Sequence, residues 1–106
     1  MSLEITPKEL QNLILQGNPP VLVDVREFDE LSICALPNHI HIPLAQIPTR
    51  FSEIPKDKDV VVYCRSGGRS GNAVNFLSQN GYTKVKNLIG GMLRWSDDVD
   101  PSFTKY

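Results

Sequence analysis

Cysteine is scarce: Cys34 and Cys64 are the only two in 106 residues. Two cannot build the disulfide framework of a small secreted domain. Neither stands in a CxxC or Cys/His spacing that would hold zinc, so no metal site is expected. A reduced, cytoplasmic setting is the expectation that follows. Long apolar runs are also missing. The longest are a few residues, against the roughly 20 that a membrane span needs. The stretch Met1-Ser2-Leu3-Glu4-Ile5 has neither a basic nor an apolar run, and no signal peptide is expected. Nor is there an excess of one charge: eleven basic and twelve acidic side chains leave a formal charge of -1. That balance argues against bulk binding to nucleic acid or to an anionic membrane. A positive site, if present, has to be local.

What remains is ordinary globular composition, 41% apolar and 22% charged. The length suits one domain, residues 1–106, and is too short for two. There is no repeat, low-complexity tract or linker. Strand-like and helix-like segments alternate, which predicts an α/β fold: a mostly parallel sheet with helices on both faces. Thr6-Pro7-Lys8-Glu9 reads as a capping box opening a helix, and Gly17-Asn18-Pro19-Pro20 ends it. Val21 to Val25 and Val60 to Tyr63 are short, β-branched and apolar, as buried strands are. Ile40 to Ile42 and Val85 to Leu88 are shorter strands. A short acidic helix is expected over about 27–33, helical turns around 44–51, and a helix over about 69–80 with an apolar face of Ser70, Ala73, Val74 and Leu77. Gly90-Gly91 leads into a last helix in which Met92, Leu93 and Trp95 pack onto the sheet. The tail from Asp97 is expected to be irregular, its acidic run a solvated face or a dock for a basic partner.

The chemistry gathers at one loop, Cys64-Arg65-Ser66-Gly67-Gly68-Arg69. Cys64 ends a predicted strand, and ligands of parallel α/β sheets bind beyond the carboxyl ends of strands. The loop's amides can converge on one centre as an anion-binding nest. Gly67 and Gly68 permit the backbone angles that this needs. The next helix points its N-terminus at the same centre, and Arg65 and Arg69 add positive charge. Each of these favours thiolate over thiol at Cys64 and makes it a poised nucleophile. The competing readings are an inert packing cysteine and a plain phosphate loop, whose Gly-Lys-Ser/Thr ending is absent.

Cys64 to Arg69 resembles the active loop of rhodanese-like sulfurtransferases. Val23-Asp24-Val25-Arg26-Glu27 is similar to that family's Asp-x-Arg segment. Leu36 to Leu44 falls where the family has its Ile-Pro-Gly-Ala…Ile-Pro segment. Asn87-Leu88-Ile89-Gly90-Gly91-Met92-Leu93-Arg94-Trp95 resembles its closing Gly-Gly…Trp segment. The four motifs cover nearly the whole chain, and the resemblance implies a single domain with a mostly parallel five-stranded sheet and helices on both faces. The resemblance implies that Cys64 takes sulfur from thiosulfate or from a persulfide on a partner protein, holds it as a persulfide, and passes it to an acceptor, with no metal or organic cofactor. Arg65, Ser66, Gly67, Gly68 and Arg69 are then the substrate-binding residues, with Asp24, Arg26 and Ser70 in support. Arg69 is alternatively a scaffold that neutralises Asp24, and Asp24 and Arg26 alternatively form a local ion pair. Phosphatases that share the fold have five residues between Cys and Arg, whereas this loop has four. A shorter ring suits sulfur over a phosphoryl group.

His39 and His41 alternate on one strand face, but no third ligand is evident. They are expected to be hydrogen-bonded edge-strand residues. Cys34 is expected to pack, with a resolving thiol as its rival role. Where many rhodaneses carry Gly-His-Ile-Pro-Gly-Ala, this chain has Cys34-Ala35-Leu36-Pro37-Asn38-His39. That string, together with His41-Ile42-Pro43-Leu44, Trp95 to Pro101 and Tyr106, resembles the rhodanese domain joined to sulfur-carrier adenylyltransferases. The resemblance implies a ubiquitin-like sulfur-carrier protein as a partner. No nucleotide-binding glycine fingerprint is present, so the chain cannot activate such a carrier itself. Two function classes stand at this point: a sulfurtransferase, and a docking or persulfide-sensing module with little turnover.

Overall fold

Thr6 begins the first helix through the expected reciprocal cap. Its hydroxyl accepts the Glu9 amide at 3.2 Å, and the Glu9 carboxylate accepts the Thr6 amide at 2.9 Å. The structure, a computed structural model, describes residues 3–106. In chain order the elements are β1 (Glu4–Ile5), α1 (Pro7–Leu15), β2 (Val21–Asp24), α2 (Phe28–Leu31), β3 (His39–His41), α3 (Ile47–Arg50), β4 (Val60–Tyr63), α4 (Gly68–Gln79), β5 (Val85–Leu88) and α5 (Gly91–Asp98). Short 3-10 turns, Leu44–Gln46 and Phe51–Glu53, flank α3.

The strands form one five-stranded sheet in the order β1-β5-β4-β2-β3. Every neighbouring pair in it is parallel. The sequence pattern locates four of these strands. The fifth, β1, has only two residues, too few for any periodic signal, and is defined by its pairing of Glu4 with Asn87 and Ile5 with Leu88.

Strand alternation then divides the core. In β4, Val60 and Val62 point to one face, where they pack with Ala73, Val74 and Leu77 of α4 and with Ile47 of α3. Val61 and Tyr63 point to the other, against Leu10 of α1 and Met92 and Trp95 of α5. Both faces of this strand are buried, which is why it reads as an unbroken apolar run. Cys64 continues the alternation one step past the strand. It falls on the α4 side, at the carboxyl end of the central strand.

The tail holds more order than its composition suggests. The helix α5 runs through Asp98, and the chain then folds back on itself. The Ser96 hydroxyl donates to the Phe103 carbonyl at 2.8 Å, and the Phe103 ring meets Trp95 edge-on. The acidic run is partly tied up locally: Asp97 pairs with Lys105, and Asp98 with Arg94.

Candidate active site

Cys64 is 1% exposed, and its sulfur is surrounded by donors. The Gly67 amide lies 3.0 Å from Sγ, the Ser70 amide 3.5 Å and the Ser70 hydroxyl 3.3 Å. Burial pushes the thiol pKa up, since it penalises the charged form. The contacts from the Ser70 hydroxyl and from the Ser70, Gly67 and Ser66 amides more than offset it, and the thiol ends below its ordinary value. The N-terminus of α4, a twelve-residue helix, faces the same sulfur. Ser70 is the largest of the favourable contributions. Ser70→Ala is therefore expected to raise the midpoint of the pH profile for alkylation of Cys64, and a midpoint unmoved from wild type would contradict this.

The two loop glycines do different things. Gly67 caps α4 with a φ of +106°, where a side chain would be strained. Gly68 has no positive φ, and a Cβ there would meet nothing within 4 Å. Both glycines permit the angles of the turn, but only Gly67 uses one that a side chain would disfavour.

What turns the amides inward is the capture of the carbonyls elsewhere. The Cys64 and Arg65 carbonyls accept the Met92 and Leu93 amides at the start of α5, both at 3.0 Å. The Gly67 carbonyl accepts Nδ2 of Asn87 at 3.1 Å, and Oδ1 of Asn87 takes the Ser70 hydroxyl at 2.6 Å. With the Arg65 carbonyl drawn away, the Ser66 amide across the same peptide is left to act on the sulfur. Sequence reasoning did not single out Asn87. Its only signal is its place at the head of the closing Gly-Gly…Trp motif, where no role is attached to it.

The charged residues pair differently from one expectation. Arg69 does not neutralise Asp24. It forms a two-pronged pair with Glu30, at 2.6 and 2.9 Å. Asp24 is held instead by Arg26, both fully buried, through contacts of 2.8 to 3.1 Å. This is the local ion-pair alternative. Arg26 also donates to the Cys34 carbonyl at 2.5 Å. Removing either member would leave a buried charge alone, which costs roughly 3–5 kcal/mol. Arg65 and Ser66 are exposed on the loop. Arg65 lies over the ring of Tyr106, 5.1 Å from its centroid.

Glu30, unremarked in the sequence, is the counter-ion of the loop. Its carboxyl is held down at about 2, chiefly by Arg69, with burial opposing and the Glu27 amide and Tyr106 hydroxyl assisting. A depressed carboxyl contributes stability above its ordinary value, 4.5, and loses it as pH falls toward about 2. Wild-type stability should therefore fall more steeply across that acidic window than that of Glu30→Gln, as read from urea midpoints at each pH.

The histidines are hydrogen-bonded to backbone, as expected. Nδ1 of His39 lies 2.7 Å from the Leu36 carbonyl, and Nε2 of His41 lies 2.7 Å from that of Arg26. No cluster of three metal-ligating side chains occurs among the described residues. Cys34 packs half-buried against the α1/α5 core, its sulfur 3.9 Å from Arg26 Nη1 and 3.5 Å from the Thr104 carbonyl. Among the described residues, no helix is long and apolar enough to cross a membrane.

Comparison with known proteins agrees with the four motifs. The chain is 43% identical over 93 residues to a sulfurtransferase of Allochromatium vinosum, covering 88% of this chain and 87% of the relative. It is 33% identical over 118 residues to the adenylyltransferase and sulfurtransferase MOCS3 of Arabidopsis thaliana, covering 96% of this chain but only 25% of that longer protein. The crystal structure of a rhodanese-like domain protein from Staphylococcus aureus superposes with a TM-score of 0.84 at 34% identity, covering 93% of this chain and 95% of the other. The family described as the rhodanese-like domain matches residues 6–98. With its fold, its loop and its relatives in agreement, the chain belongs to the rhodanese-like sulfurtransferase family.

Proposed function

We propose that the protein transfers sulfane sulfur through a persulfide on Cys64. The observation that carries this is the ring of amides and hydroxyl around Cys64 Sγ, which favours the thiolate. The thiolate attacks the outer sulfur of the donor. A sulfur–sulfur bond forms to Cys64, the donor's own bond to that sulfur breaks, and its electron pair leaves with the donor remnant. From thiosulfate the remnant is sulfite; from a protein persulfide it is a thiolate. The outer sulfur on Cys64 carries the negative charge, and the same donors that held the thiolate hold it there. An acceptor nucleophile then takes that sulfur, and the Cys64 thiolate returns. Each step balances with Cys64 alone, so no metal or organic cofactor enters. Ser66 and Arg65, exposed at the loop, are the groups an incoming donor meets. Arg69, engaged by Glu30, chiefly shapes the loop.

A ubiquitin-like sulfur carrier is the proposed protein acceptor. The support is the likeness to MOCS3, whose name joins adenylyltransferase to sulfurtransferase. This chain spans a quarter of that protein, so activation of the carrier would fall to another polypeptide or segment.

Steady-state kinetics test the reading. Parallel reciprocal plots are expected when a thiosulfate or persulfide donor is varied at several concentrations of a thiophilic acceptor, with no hydrolysis of phosphate esters. Lack of turnover with every donor would favour a docking module, and phosphate release would favour phosphatase chemistry.

A further inference from the structure

We infer that Tyr106 is a specificity-determining residue whose side chain withholds the loop arginines from anionic reactants, so that the site selects against charge on the molecule approaching Cys64. The inference rests on the reading of Cys64 as the nucleophile, but not on sulfur being what it transfers.

Tyr106 lies far from the loop in sequence and touches three charged members of the site, Arg26, Glu30 and Arg65. Its hydroxyl accepts Arg26 Nη1 at 2.8 Å and donates to Glu30 Oε2 at 2.7 Å. A tyrosine hydroxyl is protonated at neutral pH and burial pushes this one further up, so its one proton is available to Glu30. Glu30 in turn spends both oxygens on Arg69. The Tyr106 ring carries the Arg65 guanidinium on its face, at 5.1 Å. Charge is thereby accounted for pair by pair. Asp24 cancels Arg26, Glu30 cancels Arg69, and Arg65 alone is left for an incoming anion, parked on an aromatic ring. An anion entering the loop has to draw Arg65 off that ring or compete with Glu30 for Arg69. A neutral molecule has to do neither.

The rest of the tail is anchored without Tyr106. Ser96 holds the Phe103 carbonyl, Trp95 packs on the Phe103 ring, and Cys34 contacts the Thr104 carbonyl. Substituting Tyr106 therefore removes the contacts to the arginines while leaving the neighbouring residues their own anchors.

The test is alkylation of Cys64 by iodoacetate, an anion, and by iodoacetamide, a neutral molecule of nearly the same size, each measured on the Cys64 peptide. In both reactions the thiolate forms a carbon–sulfur bond and iodide leaves, so the ratio of the two rates cancels the thiolate fraction. Tyr106→Ala is expected to raise the iodoacetate-to-iodoacetamide ratio roughly three- to tenfold, the range set by releasing a cation from a ring and loosening one ion pair. Tyr106→Phe keeps the ring and loses the tether to Glu30, and its ratio should fall between alanine and wild type. The KM for thiosulfate should drop in the same order with kcat little changed, and more than for the monoanion benzenethiosulfonate. A purely structural role would move both alkylation rates together. An unchanged or lower ratio in Tyr106→Ala overturns the inference. If that variant does not fold, a Tyr106→Phe ratio no higher than wild type overturns it. A raised ratio in a protein that transfers no sulfur would leave this inference standing and remove the sulfurtransferase reading.

Discussion

Cys64→Ser is expected to abolish sulfur transfer while leaving the fold in place. Removal of a covalent nucleophile costs roughly a thousandfold or more in turnover. Serine fails here for two reasons. Its hydroxyl does not ionise near neutrality, so the donors around Sγ have no anion to stabilise. Its oxygen also cannot carry a sulfane sulfur as a persulfide. The fold should tolerate the change because the replacement is slightly smaller and its hydroxyl can still meet the Gly67 and Ser70 amides. Circular dichroism and a urea midpoint close to wild type would accompany the loss of turnover. Full activity in this variant would remove Cys64 from the mechanism.

Gly91→Ala is expected to be the most damaging single-methyl change near the loop. Gly91 has a φ of +54°, and a Cβ there would run into the Cys64 carbonyl oxygen and lie 2.6 Å from that of Arg65. Those are the two carbonyls that the start of α5 captures through the Met92 and Leu93 amides. The methyl group would push the loop off its anchor, and the strained φ adds about 1–2 kcal/mol. Two weakened hydrogen bonds add about 0.5–1.5 kcal/mol each. A loss of roughly 3 kcal/mol in urea unfolding is the expected sum. Turnover should fall as well, because the amides around Cys64 Sγ depend on where those carbonyls are held. Gly68→Ala is the control for stability. It has no positive φ and no neighbour within 4 Å of the added Cβ, so its unfolding midpoint should stay close to wild type.

The two glycines mark the limit of what the loop's sequence conveys. A Gly-Gly pair announces a tight turn, but which glycine carries the positive φ depends on where α4 begins. The strands β2, β4 and β5, α1 with its cap, α4 and α5 were legible because each shows its buried face, whereas β3, with no buried residue, was read one position late, at Ile40 to Ile42. The two-residue β1 was not, because only its partner β5 defines it. The nucleophile was legible for a similar reason: a strand-ending cysteine, two glycines and two arginines are contiguous. The residues that hold the loop are not contiguous with it. Asn87 reaches Gly67 and Ser70 from β5, Glu30 reaches Arg69 from α2, and Tyr106 reaches Arg26 and Glu30 from the tail. Their role arises from the parallel sheet bringing strand ends and following segments to one edge, which local spacing does not encode. The pairing of Arg69 with Glu30 in place of Asp24 has the same origin. Both acids lie upstream of the loop, and Arg26 already occupies Asp24.

The central claim is that Cys64 carries the sulfur, and the mass of Cys64 tests it most directly. The protein would be exposed once to excess thiosulfate or benzenethiosulfonate, freed of donor, digested, and its two cysteine peptides weighed with and without a reducing thiol. The account predicts one added sulfur on the Cys64 peptide, removed by the thiol, and none on the Cys34 peptide. An unmodified Cys64 after both donors, or added sulfur found on Cys34 alone, would contradict it.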